Sequence, residues 1–159
     1  MSPTKPKRIL FVCTGNTCRS PMAAVLAERL AKEAGVNWLF SSAGTSAKDG
    51  EPLSRGASAY FSTHGIVEVT HSARRLTAAV VAQADEIFTL TRAHRDEIIA
   101  HFPEAADKTS VLRESAELKP VDVADPIGTD VMVYEACAAA IAEALSILIR
   151  RRTHAPNTR

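Results

Sequence analysis

Polar and apolar positions along this chain follow two rhythms: short continuous apolar runs, and longer stretches with apolar residues three or four apart. Ile9-Leu10-Phe11-Val12 is an unbroken apolar run entered from polar residues, which predicts a strand buried on both faces of a parallel sheet. Ser20 and Pro21 then supply a helix cap and a proline at the first helical position. Met22, Leu26 and Leu30 recur at four-residue spacing up to Gly35, predicting a helix there. Trp38 to Ser42 and Glu86 to Leu90 predict a second and a third strand, and Ser110 to Leu112 a fourth. Further helices are predicted over 51–64, 75–83, 93–102 and 131–152. The last of them places Tyr134, Ala138, Ile141, Leu145 and Leu148 on one stripe, with Cys137 in the core. Residues 115–130, which include Pro120, Pro126 and Gly128, read as a long loop.

Strands alternating with helices predict an α/β fold: a three-layer doubly wound sandwich with a central, mainly four-stranded parallel sheet and helices on both faces. We expect a polar N-terminal extension over 1–8, one domain over 9–152 and a polar tail over 153–159. The basic triplet Arg150-Arg151-Arg152 suits the negative end of the last helix dipole. In such folds ligands bind at the carboxyl ends of the strands, so the loop after the first strand is where chemistry is to be sought.

Composition narrows the function classes. With 159 residues, 46% hydrophobic and 23% charged, the chain can bury one sizeable core. A formal net charge of +1 argues against a broad nucleic-acid face. The apolar run after residue 8 is too short for a signal peptide, and Glu143 interrupts Ala136 to Ile149 short of a membrane span. A cytoplasmic monomer without membrane or nucleic-acid partners is expected. Four residues separate Cys13 from Cys18, which with a lone Cys137 fits neither a disulfide framework nor a zinc site. No metal and no cofactor are expected.

The loop Cys13-Thr14-Gly15-Asn16-Thr17-Cys18-Arg19-Ser20 joins the first strand to the first helix. Successive amides there can point into one concavity, with the helix dipole adding to their pull on an anion. Gly15 is expected to permit a tight turn, and Arg19 to grip two oxygens of a phosphoryl group. No Gly-Lys-Ser/Thr closes the loop, so it is not of the Walker type. A field that attracts phosphate also favours a thiolate, which makes Cys13 a candidate nucleophile toward phosphorus.

The run Val12 to Ala23 (VCTGNTCRSPMA) resembles the active-site signature of the low-molecular-weight protein tyrosine phosphatase family, and within it the bacterial protein arginine phosphatase branch. The resemblance extends to Ser42-Ala43-Gly44, to His71-Ser72-Ala73-Arg74-Arg75-Leu76 and to Asp125-Pro126. It implies a hydrolase acting on phosphorylated proteins in two steps, through a phosphocysteine on Cys13, with Arg19 and the loop amides of Thr14 to Cys18 holding the oxygens. Asp125 would protonate the leaving group and then activate water. Ser20 would assist the Cys13 sulfur, Asn16 would brace the loop, and His71 would be one of its partners. Cys18 would trap an oxidised Cys13 as a disulfide, making the enzyme redox-sensitive.

Two positions bear on the substrate. Thr17 resembles the arginine branch, whereas the tyrosine branch commonly holds a branched apolar residue there. A hydroxyl tolerates a polar guanidinium without the desolvation an apolar wall imposes. Ile127 stands where the arginine branch often shows an aromatic, and no aromatic pair is available to sandwich a phenyl ring. Phosphoarginine is therefore the favoured substrate and phosphotyrosine the alternative. A thioredoxin-coupled arsenate reductase would need two further cysteines on a mobile segment, and Cys137 stands alone.

Overall fold

Successive side chains of β1 (Lys7–Cys13) point to opposite faces of the sheet, and both faces are apolar. Ile9, Phe11 and Cys13 enter one core, Leu10 and Val12 the other. The computed structural model describes residues 5–154. In it β1 pairs with β2 (Trp38–Gly44) and β3 (Glu86–Thr89), and β3 with β4 (Thr109–Val111), all parallel, in the order β2-β1-β3-β4. The first core lies under α1 (Arg19–Glu33), α2 (Arg55–Thr63) and α6 (Val131–Thr153). The second lies under α3 (Ala78–Gln83) and α4 (Arg92–His101). Phe11 stacks between Phe40 and Phe88, each ring centroid 6.1 Å away. Leu10, Phe11 and Val12 are fully buried, each side chain contributing roughly 1.5–3 kcal/mol by leaving water. The predicted sandwich is the observed one. Strand order reverses at β1, so its carboxyl end, Cys13, sits at the topological switch point.

Several boundaries differ from the sequence reading, for local reasons. β1 starts at Lys7, so residues 7 and 8 of the expected extension belong to the sheet. Residues 1–4, and 155–159 of the expected tail, lie outside the described residues. The helix predicted from 51 starts only at Arg55, where Ser54 Oγ accepts from the Ala57 amide. Before it, the Gly50 amide and the Glu51 carbonyl bond to Ala73 instead. The helix predicted from 75 starts at Ala78 behind the Thr77 cap, because Arg74 to Leu76 pairs with Gly44 and extends the edge of the sheet. Leu112 opens a short helix, α5 (Leu112–Ser115), rather than ending a strand. On α6, Ile149 is the more deeply buried residue while Leu148 packs against the core partly exposed, and Cys137 is buried as expected, its thiol pushed up to about 12 mainly by that burial. At 23 residues α6 is long and apolar enough to match a membrane span, contrary to the sequence expectation; here it packs against α1, α2 and α5 as a core helix.

Candidate active site

The residues after Cys13 form a loop tied down from three sides. Just after β2, the amides of Thr45 and Ser46 bond the carbonyls of Cys13 and Thr14, at 2.9 Å each. The loop packs so closely on this strand that a Cβ at Gly44 would collide with the Thr14 carbonyl and lie 2.9 Å from the Asn16 nitrogen. Gly44, not Gly15, is therefore the glycine the loop cannot replace. A Cβ at Gly15 would meet only Thr17 Oγ1, at 3.8 Å, and the left-handed residue of the loop is Asn16, with φ 56°.

Asn16 can hold that conformation because every polar atom of its buried side chain is matched. Nδ2 donates to Ser20 Oγ at 2.8 Å and to Ser42 Oγ at 2.9 Å, and Oδ1 accepts from the Arg74 amide at 3.0 Å. His71 Nε2 lies 2.6 Å from the Asn16 carbonyl oxygen and must donate to it, which fixes the imidazole tautomer. His71 thus meets the Asn16 backbone, while Ser42 and Arg74 brace its side chain. Arg74 Nε in turn donates to the Ser42 carbonyl. On the far side the Ser54 amide donates to the Thr17 carbonyl, and Ser54 Oγ pairs with the Tyr134 hydroxyl.

Ser20 is not the helix cap its sequence position implied. Cys18 occupies that position without a side-chain capping bond, and the Ser20 hydroxyl sits 2.9 Å from Cys13 Sγ. Asn16 donates into that hydroxyl, and its single proton is shared between the Ala43 carbonyl, at 3.4 Å, and the nearer sulfur, where it can stabilise a thiolate. The first turn of α1 carries no acid, leaving its positive end open to an anion.

Arg19 is buried, a position a guanidinium tolerates only with partners. Nη1 donates to the Val123 carbonyl at 3.0 Å, and Nη2 lies 3.7 Å from Asp125 Oδ2. Nε is buried with no partner, a donor of the kind a phosphoryl oxygen would satisfy. Val123 is itself held by its amide to the Leu90 carbonyl, so the late loop is anchored two residues before Asp125. The Asp125 side chain remains 46% exposed, and its Oδ1 accepts from the Ile127 amide at 3.1 Å. Cys18 Sγ donates to the same oxygen at 3.6 Å. Burial, then Cys13, then Asp125 push the Cys18 thiol up to about 12, so it is held as a neutral donor.

The structure thus gathers Cys13, Arg19, Ser20, Asn16, Cys18, His71 and Asp125 at one end of the sheet, although Asp125 is more than a hundred positions from Cys13. Thr17 is 9% exposed beside them, and Ile127 projects from the late loop at 54% exposure. Sequence reasoning gave Ser42, Gly44 and Arg74 no task, though each lies in a segment it singled out. It missed Ser54, whose capping signal was available, and the Val123 carbonyl, for which a sequence offers none. Among the described residues no three His, Cys, Asp or Glu side chains cluster as a metal site.

A nucleophile, a guanidinium and a carboxylate around an amide-lined loop can transfer a phosphoryl group to sulfur and then to water. Comparison with known proteins agrees. The family model described as low molecular weight phosphotyrosine protein phosphatase matches residues 8–155. A protein-arginine-phosphatase of Geobacillus stearothermophilus is 42% identical over 131 residues, covering 82% of this chain and 86% of that protein. A probable low molecular weight protein-tyrosine-phosphatase, EpsP, of Ralstonia solanacearum is 34% identical over 145 residues, covering 91% and 95%. A solved YwlE arginine phosphatase, a cysteine-to-serine mutant with a phosphorylated active-site serine, superposes with a TM-score of 0.86 at 31% identity, covering 94% of this chain and 97% of that one. This chain belongs to the low molecular weight phosphotyrosine protein phosphatase family and is a cysteine-dependent protein phosphatase.

Proposed function

We propose that this protein removes the phosphoryl group from phosphoarginine in proteins, with Cys13 as nucleophile, Arg19 as the clamp on the equatorial oxygens and Asp125 as acid and then base. In the first step Cys13 Sγ attacks phosphorus, the P–N bond breaks, and the guanidine nitrogen leaves with the Asp125 proton. In the second, Asp125 takes a proton from water, which attacks the phosphocysteine and expels the thiolate, received by the Ser20 hydroxyl. Donors fixed in advance around the developing charge reduce the reorganisation needed at the transition state.

Thr17 carries the substrate assignment. Its carbonyl accepts from the Ser54 amide, and its short polar side chain is nearly buried at the site. The late loop places Ile127 and Gly128 after Asp125-Pro126, where the sequence offers no aromatic pair of the kind a phenyl group prefers. Relatives named as arginine phosphatases support the same reading. Side-by-side turnover of peptide phosphoarginine and peptide phosphotyrosine tests it: kcat/KM should favour phosphoarginine, and equal or reversed preference would overturn the assignment. Thr17→Ile should then shift that ratio toward phosphotyrosine at least tenfold. It exchanges a hydroxyl for a bulkier apolar group, an effect of about 1–3 kcal/mol. If both activities fall equally, position 17 shapes the loop without choosing the substrate.

We also propose that mild peroxide inactivates the enzyme reversibly. Peroxide converts the Cys13 thiolate to a sulfenic acid, and Cys18 then displaces water to give a disulfide. Burial and Asp125 hold the Cys18 thiol up, and the attack needs its thiolate, so closure should accelerate as pH rises. Intact-mass and peptide analysis of quenched samples follows the bond. Cys18→Ala should lose recovery by thiol reagents; unchanged recovery means another group protects Cys13.

A further inference from the structure

One buried titratable side chain beside the loop has no task in this scheme. His94 lies in the first turn of α4, where its own amide bonds the capping Thr91 hydroxyl, and it is 5% exposed. Its Nε2 is 2.8 Å from Thr14 Oγ1, across a separation of eighty positions. Its Nδ1 is buried with no partner. An orphaned buried nitrogen costs free energy that leucine or methionine in the same space would avoid. The bond set against that cost is made to Thr14, the first residue after the nucleophile.

Thr14 is the weakly held part of the loop. It is exposed, it is followed by a glycine, and its backbone tie is the Ser46 amide on its carbonyl. The Asn16 network fastens the middle of the loop and Ser54 its far side. Among the described residues His94 is the one side chain hydrogen-bonded to Thr14.

We propose that His94 is a positioning residue of the phosphate loop, a neutral imidazole that locks the Thr14 side chain and so keeps the peptide after Cys13 in its anion-binding orientation. The proposal rests on the reading of this loop as the phosphoryl site. Either tautomer makes the bond, since the threonine hydroxyl can donate or accept. A protonated ring would also make it, but would set a second buried cation beside Arg19. Three charged groups near His94 come from two elements: Arg19 on α1, and Asp122 and Asp125 on the late loop. Burial and Arg19 outweigh the two carboxylates and bring His94 down to about 4, so the ring is neutral at working pH.

The test compares His94→Ala, His94→Gln and Thr14→Val, using inhibition by orthovanadate and the kcat and KM of an aryl phosphate. Gln carries an amide nitrogen that can reach the place of Nε2, so it should restore most of what Ala loses. We expect the vanadate inhibition constant and KM to rise at least fivefold in His94→Ala and in Thr14→Val, and to stay within twofold of wild type in His94→Gln. The double variant His94→Ala/Thr14→Val should be no worse than either single one, because both remove one bond. Vanadate affinity within twofold of wild type in His94→Ala, no rescue by Gln, or additive losses in the double variant would each overturn the proposal. A variant that merely loosens the fold would lower Tm and leave vanadate affinity of the folded fraction unchanged, which also counts against it. Should His94→Ala not fold, Thr14→Val and His94→Gln decide alone. An ordinary catalytic rate that needs Cys13 but is indifferent to His94 separates failure here from failure of the phosphatase reading.

His94 also makes a pH statement. Its folded proton affinity is lowered, so between about 6.5 and about 4 the unfolded chain takes up a proton that the folded one refuses. Stability from this group is complete above that window and falls as pH drops through it. The decline of Tm over that range should be shallower in His94→Gln than in wild type, and an identical slope would refute the neutral buried imidazole.

Discussion

Cys13→Ser should abolish turnover, by at least about 10⁴-fold, while the protein keeps its fold and its affinity for phosphate. The side chain stands at the end of β1, buried, with the Ser20 hydroxyl 2.9 Å from its sulfur. Oxygen in place of sulfur is a small change in volume, and the hydroxyl retains a partner in Ser20, so a shift in Tm of no more than a few °C is expected. The chemistry changes far more. A serine hydroxyl needs a base to become a nucleophile, and among the described residues the side chain hydrogen-bonded to position 13 is the Ser20 hydroxyl, which is not one. The first step therefore slows severely. If it occurs, the product is a phosphoserine whose alkoxide is a far poorer leaving group than a thiolate, so the second step stops. The serine mutant of the YwlE arginine phosphatase carries a phosphorylated active-site serine, which fits such a halt. Steady-state assays should show no turnover, and intact mass after long incubation with substrate should show at most one phosphoryl adduct per chain. A rate within tenfold of wild type would remove Cys13 from the mechanism.

How much of this site could be read beforehand depended on whether its parts act through side-chain identity or through backbone. Cys13, Arg19 and Asp125 were legible because their chemistry is in the residue type and its spacing. β1 was legible because four consecutive apolar residues have few other homes, and Leu10 and Val12 do face the opposite core from Ile9 and Phe11. The turn of the loop was misplaced from Gly15 to Asn16 because a left-handed asparagine is paid for by tertiary bonds to Ser20, Ser42 and Arg74, which local sequence does not display. Gly44 was invisible as a requirement for the same reason, since the atom it makes room for belongs to Thr14.

Helix starts failed where the chain had a better partner than the next turn. Residues 75 and 76 have helical neighbours downstream, yet their backbone pairs with Gly44, and that pairing is what brings the Arg74 amide to Asn16. Ser20 was misread through a rule that is usually sound: serine before proline caps a helix. Here the hydroxyl has stronger claims on it from Cys13 and Asn16, and the helix begins uncapped at an end left open to an anion. The departures from local rules collect around the loop, where function rather than stability sets the choice of residue.

Asp125→Asn should separate substrates by the basicity of what leaves. Asparagine has nearly the shape of aspartate and can still accept the Ile127 amide bond, so the late loop should keep its course, held at Val123 by Arg19 and by Leu90. What is lost is the proton. A guanidine nitrogen leaving from phosphoarginine is among the strongest bases a protein phosphatase can be asked to expel, since arginine is the side chain that holds its proton most tightly. Without protonation its departure is unfavourable, and kcat/KM for phosphoarginine should fall by about 10²–10⁴. Nitrophenolate leaves unaided, so kcat/KM for nitrophenyl phosphate, which reports the first step alone, should fall about tenfold or less. Its kcat should fall further than its kcat/KM, because hydrolysis of the phosphocysteine also uses Asp125 as base. A rapid burst of nitrophenolate followed by a slow steady state would be the sign that the intermediate accumulates. The loss of charge beside Cys18 should act in a second direction: with Asp125 no longer raising it, the Cys18 thiol ionises more readily, and disulfide closure after peroxide should be faster than in wild type. Equal losses on phosphoarginine and nitrophenyl phosphate would mean that Asp125 holds the loop together rather than delivering a proton, and the acid would have to be sought elsewhere on the rim.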